Sequence, residues 1–303
     1  MKVLLIVPPS YGLVRGSIPT FHLGLGYLAA VLNDAGHEVR VYDANCPRNP
    51  ERKRLVAEED LYTNMEAVLR DPTQPVWNEV EAVIREQNPD VVGISAKSLD
   101  LGIGLAISRV AKRIIPTCKV IFGGAAATTC PEMVLTDDSV DFVVRGEGEV
   151  TMLALLQALT TNDRSSLHAI DGISYRDSSG LVHTPDRSLI EDLDSLPLPA
   201  RDLLLYVDRQ PPVVRRAMMG DMVTSRGCPF GCTFCANKTI WGTRRVRERS
   251  PASIVEEMTL LRNKYGAERL ILWDDQLTMN RRRAIELCTL LIGRGAPVPF
   301  ITF

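Results

Sequence analysis

The chain has 303 residues, of which 45% are hydrophobic and 24% charged, with 35 Lys and Arg against 37 Asp and Glu. This is the composition of a soluble globular protein with about two domains. The net charge of -2 argues against a general nucleic-acid binder, which needs excess positive charge for phosphates, although a local basic patch stays open. No apolar stretch approaches the ~20 residues of a membrane span.

The amino terminus predicts a buried strand and not a signal peptide. The apolar run Val3–Val7 is too short for a secretory segment, and Pro8 and Pro9 end it without a small-residue cleavage site. Seven cysteines without a paired pattern exclude a secreted disulfide framework and indicate a cytoplasmic protein. Four are isolated and are predicted to be small buried hydrophobic side chains, namely Cys46, Cys118, Cys130 and Cys288.

The first half of the chain alternates strand and helix signals. Short apolar strands are predicted at Val3–Val7, Glu38–Tyr42, Val91–Ser95, Lys119–Phe122 and Asp141–Val144. Helices are predicted at Leu23–Ala35, within 47–88, at Gly102–Ile115 and from Gly148 to Leu159. This alternation predicts an α/β fold with a doubly wound parallel sheet, whose ligands bind at the carboxyl ends of the strands.

The pattern changes after residue 160. Residues 172–175 and 181–183 flank a turn sequence and predict a β-hairpin, and the Pro-rich segment 193–212 predicts a linker. A second strand–helix series then follows, with elements at Met222–Ser225, Pro251–Tyr265, Leu270–Trp273, Arg281–Arg294 and Val298–Phe303. Ser250 is the predicted N-cap of the first helix. The predicted domains are 1–160, a hairpin and linker at 161–212, and 213–303.

The loop after Met222–Ser225 carries Cys228, Cys232 and Cys235 within eight residues. Three close thiolates can hold three irons of a [4Fe-4S] cluster, which leaves the fourth iron open for chemistry. Gly227 and Gly231 allow a tight bend of the backbone around a cluster. The alternative is a zinc knuckle completed by a distant residue, but the His residues of the chain are not paired at zinc spacing.

The C-x-x-x-C-x-x-C spacing resembles the radical S-adenosylmethionine (SAM) superfamily. In that family an aromatic residue before the third cysteine packs near the adenine of SAM, and Phe234 matches it. The resemblance also implies that Asp274 and Asp275, at the next strand end, bind the SAM amino group, where many relatives have Gly-Gly-Glu. The arginine-rich run 244–249 is expected to bind an acid group or to be a solvated surface.

Two interpretations compete for the first domain. Gly24 and Gly26, followed by Asp43, fit a dinucleotide-binding fingerprint, but the glycines lie far beyond the end of the first strand, so we expect them to serve helix packing. The better match resembles the cobalamin-binding domain that precedes the catalytic barrel in a large class of radical SAM enzymes. The segments that carry this resemblance are Pro8–Ser10, Leu23–Ala30 with Asp43, Val92–Ala96, Gly123–Thr128, Pro131–Glu132, Arg145–Glu149 and the linker Leu193–Asp202.

The resemblance implies a set of cobalamin contacts at the strand ends. They are Pro9, Ser10, Ser95, Ala96, Gly123, Gly124, Ala127, Thr128, Gly146 and Glu147. The chain departs from its relatives at Ala126, where many have His, and it lacks the Asp-x-His-x-x-Gly motif that supplies a histidine below cobalt. We therefore expect no histidine ligand to cobalt; His22 is the one positional candidate.

The resemblance implies an enzyme with a [4Fe-4S] cluster, SAM and cobalamin, in which a 5′-deoxyadenosyl radical abstracts hydrogen and a methyl group reaches an unactivated carbon or phosphorus. A small-molecule substrate and an electron donor such as flavodoxin or ferredoxin are implied. An anaerobic tetrapyrrole cyclase of the same architecture is the close alternative. A non-catalytic cobalamin-binding or iron–sulfur electron-transfer protein is the alternative of another class.

The second domain is expected to be incomplete. Radical SAM barrels resemble a six-strand partial (βα) barrel, and the sequence supplies two strands and the opening of a third at Val298–Phe303. The sequence therefore predicts a fragment of a longer enzyme, inactive by itself, whose apolar sheet edge would be uncovered.

Overall fold

A computed structural model gives the structure of the protein and describes residues 1–9, 20–46, 48, 61–161, 164–295 and 298–302. None of the helices within these ranges is long and apolar enough to cross a membrane. Two units follow one another along the chain. The first unit has two core clusters and the second has one, and linker residues such as Leu204 and Tyr206 are buried in the clusters of the first unit, as are Met218 and Met219.

The first unit is built on one seven-stranded sheet with the order β2-β1-β3-β4-β5-β6-β7. The first five strands are parallel and the last two are antiparallel. The strands are β1 (Lys2–Val7), β2 (Glu38–Asp43), β3 (Val91–Ser95), β4 (Lys119–Gly123), β5 (Phe142–Val144), β6 (Ile173–Asp177) and β7 (Gly180–His183).

Helices cover both faces of this sheet because its central strands are apolar on both sides. On β1, Leu4 and Ile6 enter one core cluster while Val3 and Leu5 enter the other. The helices are α1 (Leu23–Asp34), α2 (Leu61–Arg70), α3 (Pro75–Gln87), α4 (Leu101–Ile114), α5 (Ala125–Thr129), α6 (Pro131–Leu135) and α7 (Gly148–Thr161). The predicted doubly wound parallel sheet is thereby confirmed.

The strand order reverses between β1 and β3, since β2 lies on one side of β1 and β3 on the other. The carboxyl ends of strands at such a reversal form the crevice in which doubly wound sheets bind ligands. The loop after β1, residues 10–19, lies outside the described residues.

The hairpin does not form a separate segment, as the sequence suggested, but extends the first sheet. Its strand β6 pairs with β5, and Arg145 at the end of β5 donates hydrogen bonds to the carbonyl of Ile173 and to Thr184. The linker is also attached to this unit, because the Leu205 N–H donates to the carbonyl of Val41 on β2 (2.8 Å).

The second unit contains α8 (Pro212–Met219), β8 (Asp221–Met222), β9 (Ser225–Arg226), α9 (Asn237–Trp241), β10 (Arg247–Glu248), α10 (Pro251–Tyr265), β11 (Leu270–Leu272), α11 (Arg281–Gly293) and β12 (Phe300–Thr302). Strands β8, β11 and β12 form a parallel sheet. The predicted N-cap is confirmed, since Ser250 Oγ accepts from the Ser253 N–H (3.2 Å). The predicted strand 222–225 was wrong as a single element: it divides into β8 and β9, and β9 pairs with β10 instead.

Candidate cofactor-binding site

An open cavity of about 430 Å³ lies where the carboxyl ends of the first sheet face the second unit. The first unit lines it with residues of α1 and of the ends of β3, β4 and β5. The second unit contributes, among others, Val223, Ser225, Arg226, Trp241, Trp273 and Asp275. The two halves of the chain therefore share one site, at the position that the strand order predicts.

Two of the predicted glycines leave this cavity open. A Cβ atom at Gly123 would meet its nearest neighbour, the Val144 carbonyl oxygen, at 3.9 Å, and one at Gly146 would meet nothing within 4 Å. Gly124 serves the backbone instead, because its φ of 89° is unfavourable for other residues and a Cβ would lie 2.8 Å from the Ala96 oxygen. Thr128 joins the two loops, since its hydroxyl accepts from Gly146 N and donates to Gly124 O, both at 3.0 Å.

His22 and Ser95 form the border of the cavity near the end of β3. His22 Nδ1 accepts from the Leu25 N–H (3.2 Å), and Nε2 lies 3.3 Å from Ser95 Oγ. Burial and the nearby charge of Lys97 lower the pKa of His22 to about 4. The ring is therefore neutral at pH 7, and the acceptor role of Nδ1 places its proton on Nε2, toward Ser95. The absence of a histidine ligand to cobalt stays a prediction.

Other residues that were predicted to contact cobalamin do not line the cavity in the described part of the chain. Ala96 and Ala127 are 1% and 0% exposed, belong to a core cluster and do not line the cavity, so the geometry does not support their contact with cobalamin, which stays a prediction. Pro9 is buried at the end of β1, and Ser10 lies outside the described residues. These two contacts stay predictions.

Glu147 borders the cavity, but its carboxylate is used within the protein. Oε1 pairs with Arg226 (2.6 Å), and Oε2 pairs with Arg247 and accepts from the Ile190 N–H, both at 2.7 Å. Burial opposes ionisation, but the hydrogen bonds from Arg247 and Arg226 outweigh it and hold the pKa of Glu147 below its usual range. The predicted cobalamin contact of Glu147 stays a prediction, and the structure adds ion pairs through which this residue joins the two units.

The three cysteines lie together on one loop that begins beside the cavity. Cys228 is half-buried, and Cys232 and Cys235 are exposed. Gly227 has a φ of 98°, and a Cβ there would lie 2.2 Å from the Arg245 oxygen, so glycine is required at the start of the loop. Among the residues that the structure describes, no group of three or more His, Cys, Asp or Glu is arranged to hold a metal. Cluster binding thus depends on the donor chemistry and spacing, which fit an iron–sulfur cluster.

The isolated cysteines divide into two pairs. Cys46 and Cys118 are buried, as predicted, whereas Cys130 and Cys288 are exposed, so the prediction was wrong for these two. Both exposed residues stand outside the C-x-x-x-C-x-x-C loop. They provide natural controls for experiments on the cluster cysteines.

The two aspartates after β11 have different surroundings. Asp274 is 3% exposed and accepts four hydrogen bonds from the N–H and hydroxyl groups of Thr224 and Ser225, three of them on Oδ1. This bonding holds the strand-to-loop connection, and the SAM contact of Asp274 stays a prediction. Asp275 is exposed and lines the cavity, while Phe234 is 92% exposed beside Cys235.

The arginine-rich run is neither a solvated surface nor uniformly available for a ligand. Arg247 and Arg249 are 4% and 3% exposed. Arg249 pairs with Glu257, which also pairs with Arg201 of the linker (3.0 Å), and all three side chains are buried. Arg245 forms an exposed pair with Glu191 (2.8 Å). The sequence does not show these pairs because their partners lie on other elements, which only the folded chain brings together.

Comparisons with known proteins agree with both halves of the site. A family model of the B12 binding domain matches residues 19–156, and a model of the Radical SAM superfamily matches residues 222–302. The chain is a B12-binding radical SAM protein. The predicted family and cofactor classes, namely cobalamin, SAM and an iron–sulfur cluster, are confirmed at this level.

This B12-binding radical SAM protein is 31% identical to an uncharacterized methyltransferase of Pyrococcus horikoshii, over 98% of the chain and 58% of the relative. It is also 31% identical to cytidylyl-2-hydroxyethylphosphonate methyltransferase of Streptomyces wedmorensis, over 98% of the chain and 59% of that protein. The anaerobic magnesium-protoporphyrin IX monomethyl ester cyclase of Cereibacter sphaeroides is 31% identical over 71% of the chain and 35% of its own length. The chain thus spans less than two thirds of these curated relatives.

Solved structures share the fold of the B12-binding radical SAM protein. The cobalamin-dependent SAM radical enzyme OxsB superposes with a TM-score of 0.72 at 18% identity, over 98% of this chain and 38% of its own. The radical SAM methyltransferase TsrM of Kitasatospora setae gives 0.65 at 19% identity, over 97% of this chain and 52% of its own. Both comparisons include the first sheet and the second unit.

Proposed function

We propose that this protein is a cobalamin-dependent radical SAM enzyme that cleaves SAM to a 5′-deoxyadenosyl radical and methylates an unactivated carbon or phosphorus atom of a small molecule. The observation that carries the proposal is the shared cavity. The glycine-lined ends of the first sheet form one wall, and residues that flank the cysteine loop form the other. Two cofactors bound to these walls would face a common space.

The chain's own residues fit the two groups. Gly123 and Gly146 leave room for a broad flat ring, with Ser95 and Thr128 hydroxyls beside it. The thiolates of Cys228, Cys232 and Cys235 would hold the cluster, and Asp275 and Phe234 are the proposed contacts for SAM. When bound, the cluster supplies an electron to SAM and cobalamin supplies a methyl group, while the apolar walls exclude water from the reactive species.

An oxidative cyclase is the second candidate, because the magnesium-protoporphyrin cyclase relative is as similar in identity as the methyltransferases. The methyltransferase proposal is favoured because two methyltransferase relatives are 31% identical over 98% of the chain, whereas the cyclase relative that aligns over 99% of the chain is 26% identical. Product analysis separates the two: methyl transfer consumes a methyl donor, and cyclisation does not.

An electron donor such as flavodoxin or ferredoxin completes the proposal, since the cluster must be reduced before it can reduce SAM. We further propose a cytoplasmic location, because exposed cysteine thiolates such as Cys232 and Cys235 need a reducing compartment to remain free for iron.

Anaerobic reconstitution tests the proposal. The protein should take up about four irons with a matching amount of sulfide. Cys228→Ala, Cys232→Ala and Cys235→Ala should each abolish iron uptake, whereas Cys130→Ala, at an exposed isolated cysteine, should leave it unchanged. Reduced holoenzyme should release 5′-deoxyadenosine from SAM. Stoichiometric zinc without iron, or cofactor binding without SAM cleavage, would contradict the proposal.

A further inference from the structure

The cysteine loop has a narrow base that is held by short strands. Strands β9 and β10 pair antiparallel, with Arg226 directly opposite Arg247. The segment 227–246 between them carries all three cysteines of the loop. We call this Arg226–Arg247 pair the neck of the loop. A displacement of the neck would therefore move both ends of the cysteine segment.

One carboxylate of the first unit binds both sides of the neck. Glu147 Oε1 lies 2.6 Å from an Arg226 nitrogen, and Glu147 Oε2 lies 2.7 Å from an Arg247 nitrogen. The exposed side-chain fractions are 4% for Glu147, 9% for Arg226 and 3% for Arg247. Glu149 binds only one side, through the second terminal nitrogen of Arg226 (2.7 Å). Because these pairs are buried, salt and water weaken them little.

The same carboxylate belongs to the wall of the cobalamin site. Glu147 follows Gly146, whose backbone lines the cavity and whose N–H is held by Thr128. Gly146 has no side chain and a φ of 69°, so a flat ring on this wall would touch backbone directly. A shift of that backbone would move the Glu147 side chain, and its buried ion pairs with Arg226 and Arg247 would transmit the shift to the neck.

We infer that Glu147 is a positioning residue that couples the two cofactor sites, so that cobalamin on the Gly146 wall and the cluster on the cysteine loop strengthen each other's binding. The inference rests on the proposed function, since it assumes that both cofactors bind. Coupling of this kind is reciprocal, and coupling between two sites in proteins amounts to about 5- to 150-fold in affinity.

The test measures hydroxocobalamin affinity of the full chain, anaerobically, with and without a reconstituted cluster. In the wild type the cluster should tighten cobalamin binding by at least about fivefold. Glu147→Gln should bind both cofactors, but the cluster should change its cobalamin affinity by less than about twofold, because one neutral amide cannot hold both arginines.

Two matched variants separate coupling from a merely structural role. Glu149→Gln removes a buried partner of Arg226 but leaves Glu147 paired with both Arg226 and Arg247. This variant should keep the wild-type ratio of cobalamin affinities with and without the cluster. Glu191→Gln breaks the exposed pair with Arg245 in the same loop and should also keep it. If Glu147→Gln is insoluble, Glu147→Asp replaces it with the same expectation, because its side chain is one methylene too short to span the neck.

The inference would be overturned if Glu147→Gln kept the wild-type ratio of cobalamin affinities with and without the cluster, or if Glu149→Gln lowered that ratio as much as Glu147→Gln. It would also be overturned if the cluster did not change the cobalamin affinity of the wild type. A wild type that binds no iron or no cobalamin would contradict the proposed function, and the coupling with it. The two failures are distinct, because the first occurs with both cofactors bound.

Discussion

The adjacent glycines at the end of β4 should respond to substitution in opposite ways. Gly123 faces the cavity, with its nearest potential Cβ contact at 3.9 Å. Gly124 is held at φ 89° and ψ -171° against the end of β3. We expect Gly123→Val to reduce cobalamin binding without loss of stability, and Gly124→Ala to reduce stability first.

The cost at Gly124 follows from its geometry. Its backbone lies in a region that is essentially restricted to glycine, at a cost of about 1–3 kcal/mol for another residue. The added methyl would also lie 2.8 Å from the Ala96 oxygen and 2.9 Å from Ser95 Oγ, so one of the loops must move. A total loss of about 2–3 kcal/mol corresponds to a decrease in Tm of about 4–12 °C for a unit of this size. At Gly123 we expect a change in unfolding free energy within about 0.5 kcal/mol.

Thermal unfolding and hydroxocobalamin titration of both variants check this prediction. For Gly123→Val the dissociation constant should rise at least about tenfold, which equals about 1.4 kcal/mol of lost binding free energy. A Gly124→Ala protein as stable as the wild type would refute the backbone argument. Wild-type cobalamin affinity in Gly123→Val would refute the assignment of this wall to cobalamin.

Three further predictions concern buried charge and the loop. Because His22 has a pKa of about 4 in the folded protein against 6.5 in solution, the unfolded chain binds its proton first, and stability should fall as the pH drops from 6.5 to about 4. Urea unfolding at several pH values should show a smaller fall in the unfolding free energy for His22→Gln than for the wild type. An equal fall in both proteins would disprove the prediction. Glu257→Gln should cost about 3–5 kcal/mol, because it leaves the buried Arg201 and Arg249 without a counter-charge; chemical denaturation measures this, and a loss below 1 kcal/mol would contradict it. Gly227→Ala should lower iron content after reconstitution, since its Cβ would strike the Arg245 oxygen. Gly242→Ala, whose φ of 64° is also positive but which has open space around it, should retain iron. Equal iron content in the two variants would count against a role for the Gly227 bend.

The elements that local pattern determines were predicted well. Continuous apolar runs such as Val91–Ser95 identified the strands, and Ser250 with Pro251 identified the start of α10. The cysteine spacing, a signal within eight consecutive residues, predicted the radical SAM family, and the family model over residues 222–302 agrees with it. Each of these features depends on neighbours in the sequence.

Features that depend on distant neighbours were not predictable in this way. Ala96 and Ala127 lie at the expected strand end and loop, but their side chains point into the core, a direction that only the packed helices determine. The run containing Arg247 and Arg249 reads as solvated because its partners Glu147 and Glu257 come from other segments. Asp274 was predicted as a SAM contact, and the sequence does not show that Thr224 and Ser225 donate four hydrogen bonds to its carboxylate.

The attachment of the hairpin and the linker to the first sheet determines where the protein can be divided. Strand β6 protects the edge of β5, and Leu205 bonds to β2 at the opposite edge. A polypeptide cut after residue 160 would lose both coverings and expose two strand edges to pairing with other molecules. An isolated first unit intended for ligand studies should therefore extend through the linker and α8, to about residue 219, so that β5 and β2 keep these partners and Met218 and Met219 stay in its core.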